Sequence, residues 1–455
     1  MVDSVAAASV TRDELAAAVR VDPAHVERWH ALGLTVGGPD RFPFVDLERA
    51  RLIRYAEHRG IDAADIAVAC QSEDLVAQFL ELLTNGEPRL GLPIGDAAAA
   101  VDLAPDVFQR IWVASGMSDQ DDAYDEDITA LRWIRTVLAA GLPEDALLQL
   151  MRVFADALSR VADAESRLFH YYVHEPLRAA GLQGEALTDA TAAVSEPLVG
   201  LAEPAILYFH RKAFERALRD DFVLHLKEAT QPPGLELGEM EVTIMFVDLS
   251  GFTPLTESMG DATAARLIER FSDLVRLTAR RHQGKIVKQI GDEFMLVFDD
   301  PARAVSCGIE IGDAIRSEPR FPGVTIGAHH GAVLYREGDY IGTNVNIAAR
   351  VTALARRHQM LVTEPIANAA PELAGHELVP IGTHTLKGIS EHVELFEIRG
   401  TAHRVDRAID PVCHMQLDPE DRVVTLDHHG TDVHFCSTAC ADKFIASPER
   451  YEPTL

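Results

Sequence analysis

Up to about residue 230 the chain sets apolar residues three and four positions apart, in stretches dense in Ala and Leu with few β-branched runs. That period lays the apolar side chains along one face of a helix, so a helical N-terminal region is expected over 1–230. A weak internal repeat runs through it, about 14–70 and 95–150. Arg51-Leu-Ile-Arg54 with Gly60-Ile61 returns 81 residues on as Arg132-Trp-Ile-Arg135 with Gly141-Leu142, and Pro23, Trp29 and Gly33 return as Pro105, Trp112 and Gly116. Each copy predicts a short helix, a turn, a second helix ending at Gly, a loop and a longer helix. From Asp145 to about Glu228 longer helices follow, the last over roughly Glu203–Leu226.

Gln231-Pro-Pro-Gly234 then breaks any helix and marks a boundary. Beyond it Val, Ile and Phe rise, and strand-like runs alternate with helical ones to about Arg399. Glu241–Val247 predicts a strand, Asp261–His282 an amphipathic helix with Leu267, Phe271, Leu274 and Leu277 near one face, Gly284–Ile290 a second strand and Phe294–Phe298 a third. Residues 400–409 read as a linker and 410–455 as a small last unit. The expected organisation is therefore a helical region over 1–230, an α+β unit over 235–400 and a C-terminal unit over 410–455.

Composition narrows the function classes. The 455 residues carry 42 Lys plus Arg against 71 Asp plus Glu, a net charge of −29, which opposes binding to nucleic acid or to an anionic membrane. No apolar run reaches the roughly 18 residues of a membrane span, and the N-terminus lacks the pattern of a signal peptide. Five cysteines, three of them within the last 45 residues, do not make a disulfide framework, so a reducing cytoplasm is the expected location. Glu14–Leu34 resembles the helix-turn-helix of mercury-responsive transcriptional regulators. Residues 1–150 nevertheless hold about twice as many acidic as basic side chains, and Asp119–Asp127 would put an acid cluster where a DNA-contacting wing would sit. A helical scaffold is the preferred reading, with no nucleic-acid partner.

The chemistry gathers in the middle unit. Asp248 and Asp292, 44 residues apart, each stand at the junction of a strand and a turn. Neighbouring strands would bring them together, and two carboxylates suit a hard cation that also binds phosphate oxygens. Gly251 lets the main chain after Asp248 come close to a polyphosphate.

Three strings, FVDLSGFT, KQIGDEFMLVF and DYIGTNVNIAAR, stand in the order and spacing of the class III nucleotidyl cyclases, and the middle unit resembles that family over about Glu239–Arg399. The resemblance implies a ferredoxin-like α+β catalytic domain that turns ATP into 3′,5′-cyclic AMP and pyrophosphate. It implies that Asp248 and Asp292 hold two Mg²⁺ or Mn²⁺ ions, that Lys288 and Asp339 read the adenine, and that Phe252 and Thr253 lie at the substrate. Asn346 would orient the ribose and Arg350 would stabilise the transition state. Lys387, in Leu-Lys-Gly388, is a candidate for the phosphates. Asn344 competes with Asn346 for the catalytic role; the spacings from Gly342 and to Arg350 favour Asn346. Lys and Asp match adenine's N1 acceptor and N6 donor, and guanine reverses that pattern, so ATP is expected over GTP. In the family the site forms at a head-to-tail interface, so a chain with the full set is expected to act as a homodimer.

The last unit, with DPVCHM, HFCSTACADKF and SPERY, resembles the YHS domain and the related TRASH metal-binding modules. Cys413, Cys436 and Cys440 would supply thiolates for Zn²⁺ or Cu⁺, with His414, His428, His429 or His434 as fourth ligand. A compact hairpin-plus-helix with reduced cysteines is the alternative. Cys70 and Cys307 read as packing residues. The helical region resembles the regulatory domains that precede the catalytic domain in actinobacterial cyclases; its signal is open, and for a pH signal His170, His174 and His210 lie nearest the boundary. The alternatives to an adenylate cyclase are a guanylate cyclase and a non-enzymatic sensor or transcriptional regulator.

Overall fold

The structure is a computed structural model that describes residues 9–71, 74–84, 91–117, 122–230, 239–318, 321–369, 375–400 and 408–451. The chain divides into two compact units, Met1–Gln231 and Pro232–Leu455.

In the first unit the order of elements repeats. One copy runs β1 (Ser9–Thr11), α1 (Arg12–Ala18), α2 (Pro23–Ala31), β2 (Arg41–Pro43), α3 (Val45–His58) and α4 (Ala63–Ala69), with α5 (Leu75–Thr84) after it. The other runs β3 (Leu92–Pro93), α6 (Ile94–Ala100), α7 (Pro105–Ala114), β4 (Asp122–Ala123), α8 (Asp125–Ala139) and α9 (Glu144–Phe169). Sequence chemistry starts these helices. Thr11 and Glu14 form a reciprocal capping box on α1, and Pro23 and Pro105 each stand in the first turn of their helix. Trp29 and Trp112 are buried at equivalent places in two separate cores.

The unit departs from the all-α expectation in two short antiparallel ribbons, β1 with β2 and β3 with β4. Strands of two or three residues carry no periodicity that could announce them. Part of the expected acid cluster, 119–121, lies outside the described residues. Asp122 meets Arg51 at 2.7 Å, so this acid staples one copy to the other.

A π-helical turn, His170–His174, and α10 (Glu175–Ala179) follow α9, and the rings of His170 and His174 stack 5.4 Å apart. Next comes α11 (Glu185–Thr230), a single helix through Pro197 and Pro204. The helix expected over roughly Glu203–Leu226 is thus longer at its N-terminal end; a proline costs a helical hydrogen bond, and each one here is absorbed within the helix. A stretch inside Glu185–Val223 is long and apolar enough, by length and composition, to cross a membrane, and none of it is buried. The expectation that no apolar stretch is long enough for a span does not hold for this helix, where Ser, Glu and Pro are interspersed among the apolar residues.

The second unit is built on an eight-stranded mixed sheet. Its elements are β5 (Glu239–Leu249), α12 (Phe252–Met259), α13 (Asp261–Arg281), β6 (Lys285–Ile290), β7 (Glu293–Phe298), α14 (Pro301–Ser317), β8 (Val324–Arg336), β9 (Asp339–Ile341), α15 (Thr343–Leu354), β10 (Gln359–Thr363), α16 (Glu364–Ala369), β11 (His376–Thr385) and β12 (His392–Gly400). The strand order is β11-β12-β10-β8-β5-β7-β6, with β9 beside the end of β8; β8 and β10 run parallel and the other pairs antiparallel. Alternation along β5 sorts the two faces. Met245, Val247 and Leu249 pack with Leu267, Phe271 and Val275 of α13 and Val305 and Ile311 of α14. Val242, Ile244 and Phe246 face the other way, onto Ala348 of α15.

The C-terminal segment holds β13 (Ala408–Ile409), β14 (Gln416–Leu417), the hairpin β15 (Val424–His428) with β16 (Thr431–Phe435), and α17 (Thr438–Ala446). Its apolar residues Val412, Met415, Leu417, Phe435 and Phe444 join the core of the eight-stranded sheet. Residues 401–407 of the expected linker lie outside the described residues, and Ala408–Ile409 are already strand.

Candidate active site

Register explains why Asp248 and Asp292 meet. Val247 pairs with Phe294 across β5 and β7, so the end of β5 lies beside the Gly291-Asp292 turn that opens β7. Gly291 takes a left-handed conformation, φ +62°, which tightens that turn. The two carboxyl groups hydrogen-bond each other, and Glu293 stands close by. Burial, reinforced by the negative charges of Asp292 and Glu293, pushes Asp248 up to about 7. Burial also raises Asp292 and Glu293. Half-buried carboxylates that resist ionising together need a positive charge among them, and an all-oxygen donor set fits Mg²⁺ or Mn²⁺.

Lys288 and Asp339 are ion-paired. The β8–β9 hairpin brings them together: Lys285 also lies over the rings of Tyr335 and Tyr340, 5.1 and 5.6 Å from their centroids. The main-chain N–H of Tyr340 donates to Asp339 Oδ1 at 2.8 Å, fixing that carboxylate, and the charge of Lys288 offsets part of the burial cost on Glu293.

After Asp248 the chain turns at Gly251, φ +76°, into α12, whose first turn has no side-chain cap. Those N–H groups are open to an anion. Phe252 itself packs against the core, so its side chain is structural. The side chain of Thr253 lies outside the described residues.

On α15 the structure separates the two asparagines. Asn344 is tied down: Oδ1 is 2.9 Å from His329 Nε2, and Nδ2 donates to the Ala332 carbonyl at 2.7 Å. His329 is in turn 2.8 Å from Thr363 Oγ1, and burial lowers its pKa. Asn346 and Arg350 are exposed one helical turn apart. Lys387 is exposed in the turn between β11 and β12, at the sheet edge opposite β6. The structure thus gathers Asp248, Asp292, Lys288 and Asp339, and presents Asn346, Arg350 and Lys387 separately on the surface.

In the C-terminal segment the three thiols converge. Cys413 and Cys436 sulfurs are 3.5 Å apart, and Cys436 and Cys440 sulfurs 3.7 Å. A tetrahedral zinc with bonds of about 2.3 Å needs sulfurs about 3.8 Å apart, so the donors fit. The fourth member is a residue that sequence reasoning missed. Asp410, fully buried, joins the three cysteines with all four potential ligand atoms within 4.8 Å of one another; none of the expected histidines does. Asp410 also accepts from the N–H groups of Val412 and Cys436, both at 2.8 Å. Its place three residues before Cys413 was the only signal in the sequence. Cys307 is a packing residue, its thiol pushed up to about 12 by burial.

Three family models each match a part of the chain. Residues 238–400 match the family model of the adenylate and guanylate cyclase catalytic domain. Residues 45–211 match the adenylate cyclase regulatory domain, and 408–454 the YHS domain. A "pH-sensitive adenylate cyclase MT1302" of Mycobacterium tuberculosis is 28% identical over 366 residues, 78% of this chain and 89% of that protein. An "Adenylate cyclase" of Streptomyces coelicolor is 27% identical over 294 residues, 64% of this chain and 74% of the relative. Among solved structures, the adenylyl cyclase CyaB from P. aeruginosa aligns with a TM-score of 0.34 at 20% identity, over 38% of this chain and 100% of that one.

Proposed function

We propose that the protein is an adenylate cyclase that converts ATP to 3′,5′-cyclic AMP and pyrophosphate as a homodimer. The observation that carries the reading is the half-buried Asp248–Asp292 pair together with the Lys288–Asp339 pair in the same unit. In the reaction the ribose 3′-oxygen attacks the α-phosphorus and loses its proton. The bond to the β-phosphate oxygen breaks, and pyrophosphate leaves with that electron pair. Asp248 and Asp292 would hold two Mg²⁺ or Mn²⁺ ions, which lower the pKa of the attacking hydroxyl and neutralise the leaving group. Lys288 donates to adenine N1 and Asp339 accepts from N6. Main-chain N–H groups at Phe252 and Thr253 face the phosphates. Asn346 orients the ribose, and Lys387 reaches the phosphates. The guanidinium fork of Arg350 meets charge developing on the equatorial oxygens.

Exposure of Asn346, Arg350 and Lys387 supports a site completed by a second copy of the chain. So do the exposed apolar side chains Ile290 and Ile341 beside the site, and Phe209, Phe214 and Phe222 along α11. The helical region would set the approach of the two catalytic units. The C-terminal cluster would hold Zn²⁺ or Cu⁺.

The raised Asp248 gives a test with a definite sign. Between the ordinary carboxylate range and about 7 the folded chain keeps a proton that the unfolded chain has lost. Raising the pH through that window strips the proton, which destabilises the metal-free fold and frees the carboxylate for metal. Mn²⁺ affinity of the full chain, measured by water-proton relaxation, is therefore expected to rise about tenfold per pH unit up to about 7 and then level off. Affinity flat from pH 5.5 to 7.5, and unchanged in Asp292→Asn, would contradict the assignment of the metal ligands.

A further inference from the structure

The C-terminal cluster lies against the catalytic unit at two places, and each contact leads to a different part of the proposed site. The first is His414, next in sequence to Cys413. Its ring lies against Gly251, where a Cβ would come within 2.8 Å of the ring carbons. Gly251 follows Asp248 by three residues and opens α12, so the ring rests on the turn that shapes the phosphate-facing main chain.

The second is Arg357, in the segment between α15 and β10. All three of its guanidinium nitrogens are buried without a hydrogen-bond partner. Burial lowers its pKa only to about 10, so the group stays a cation at neutral pH. The side chain covers Gly323, where any Cβ would collide with it. A buried cation without a partner is costly, and retaining one implies an anion that arrives later. Gly323 follows Pro322, which pairs with Met415 two residues beyond Cys413, so the guanidinium lies next to the cluster, where a negative charge on Cys413 would favour it.

Zn²⁺ held by three thiolates carries −1, or −2 with the Asp410 carboxylate, so the loaded cluster is a fixed anion beside Arg357. We infer that the cluster is a regulatory zinc site whose anionic thiolate complex takes Arg357 of the catalytic unit as its counter-charge, and that loading it raises the rate of cyclisation. The inference rests on the metal-binding reading of the cluster given above. Pairing would anchor the segment just beyond α15, the helix that carries Asn346 and Arg350, while Cys413 as a ligand would hold His414 on the Gly251 turn. Both halves of the site would be ordered by one ion.

The test uses the full chain, stripped of zinc and titrated with buffered free Zn²⁺ in the presence of Mn²⁺ and ATP. Zinc affinity is read by competition with a chromophoric chelator. Arg357→Met is a suitable variant, since an apolar residue of similar volume in place of a buried charge is often tolerated. One zinc per chain is expected, with cyclic AMP formation rising at least about fivefold on loading. Arg357→Met is expected to weaken zinc binding by at least about tenfold and to abolish the rate response, while Arg357→Lys keeps most of both. A full chain that binds no zinc would overturn the metal reading itself. Zinc bound equally by wild type and Arg357→Met, or zinc bound without any change in rate, would leave the metal reading standing and overturn the coupling.

Discussion

Mixing two inactive variants, Asp248→Asn and Arg350→Ala, is expected to restore cyclic AMP formation that neither shows alone. Each variant should lose on the order of 10²–10³ in kcat, the usual effect of removing a group that meets developing charge. In a mixed dimer one of the two sites takes Asp248 from the Arg350→Ala chain and Arg350 from the Asp248→Asn chain, and is whole. The other site carries both defects. Random pairing makes about half of the dimers mixed, each with one good site, so the mixture should reach about a quarter of wild-type activity. The expectation follows from geometry: the carboxylates are half-buried at the junction of β5 and β7, whereas Arg350 is exposed on α15. A mixture no more active than its components, with mixed dimers confirmed by native mass spectrometry, would place all the catalytic groups in one chain.

The second large effect concerns the base. Lys288→Glu with Asp339→Cys should invert the preference between ATP and GTP, moving the ratio of kcat/KM values by at least on the order of 10²-fold. A site built to hydrogen-bond a group rejects the analogue that cannot satisfy it, because its own polar atoms are left unpaired. The two residues must change together, since they are bonded to each other and either single change strands its partner. The ratio is read from initial rates with each nucleotide. An unchanged ratio in a double variant that remains active would show that the base is read elsewhere.

What the sequence could show of this molecule followed from period and spacing. Strands β5, β6 and β7 and helix α13 are rows of apolar residues at periods of two or between three and four, and they end where Gly, Asp or Pro interrupts them. The Asp248–Asp292 pair was legible because both residues stand at strand–turn junctions, and antiparallel pairing then joins them. Other features depend on three-dimensional neighbours. The ribbons of the first unit are too short to show a period, and α11 continues through Pro204, which a local reading takes as a helix start. Asn344 and Asn346 are alike in sequence; only the buried His329 beneath the start of α15 distinguishes the structural one from the exposed one. Asp410 resembles any turn aspartate until the hairpin and α17 bring Cys436 and Cys440 to it. The part played by Arg357 is visible only in the packed unit, because its meaning lies in being buried without a partner.

The most direct measurement is the product formed by the purified full chain from ATP in the presence of Mn²⁺, identified by chromatography against authentic 3′,5′-cyclic AMP, beside the Asp248→Asn variant and with GTP as competitor. The account predicts cyclic AMP and pyrophosphate in equal amounts from the wild type, little turnover of GTP, and a loss of at least on the order of 10²-fold in the variant. No cyclic nucleotide from either substrate with the zinc site loaded, or equal turnover by wild type and Asp248→Asn, would contradict it.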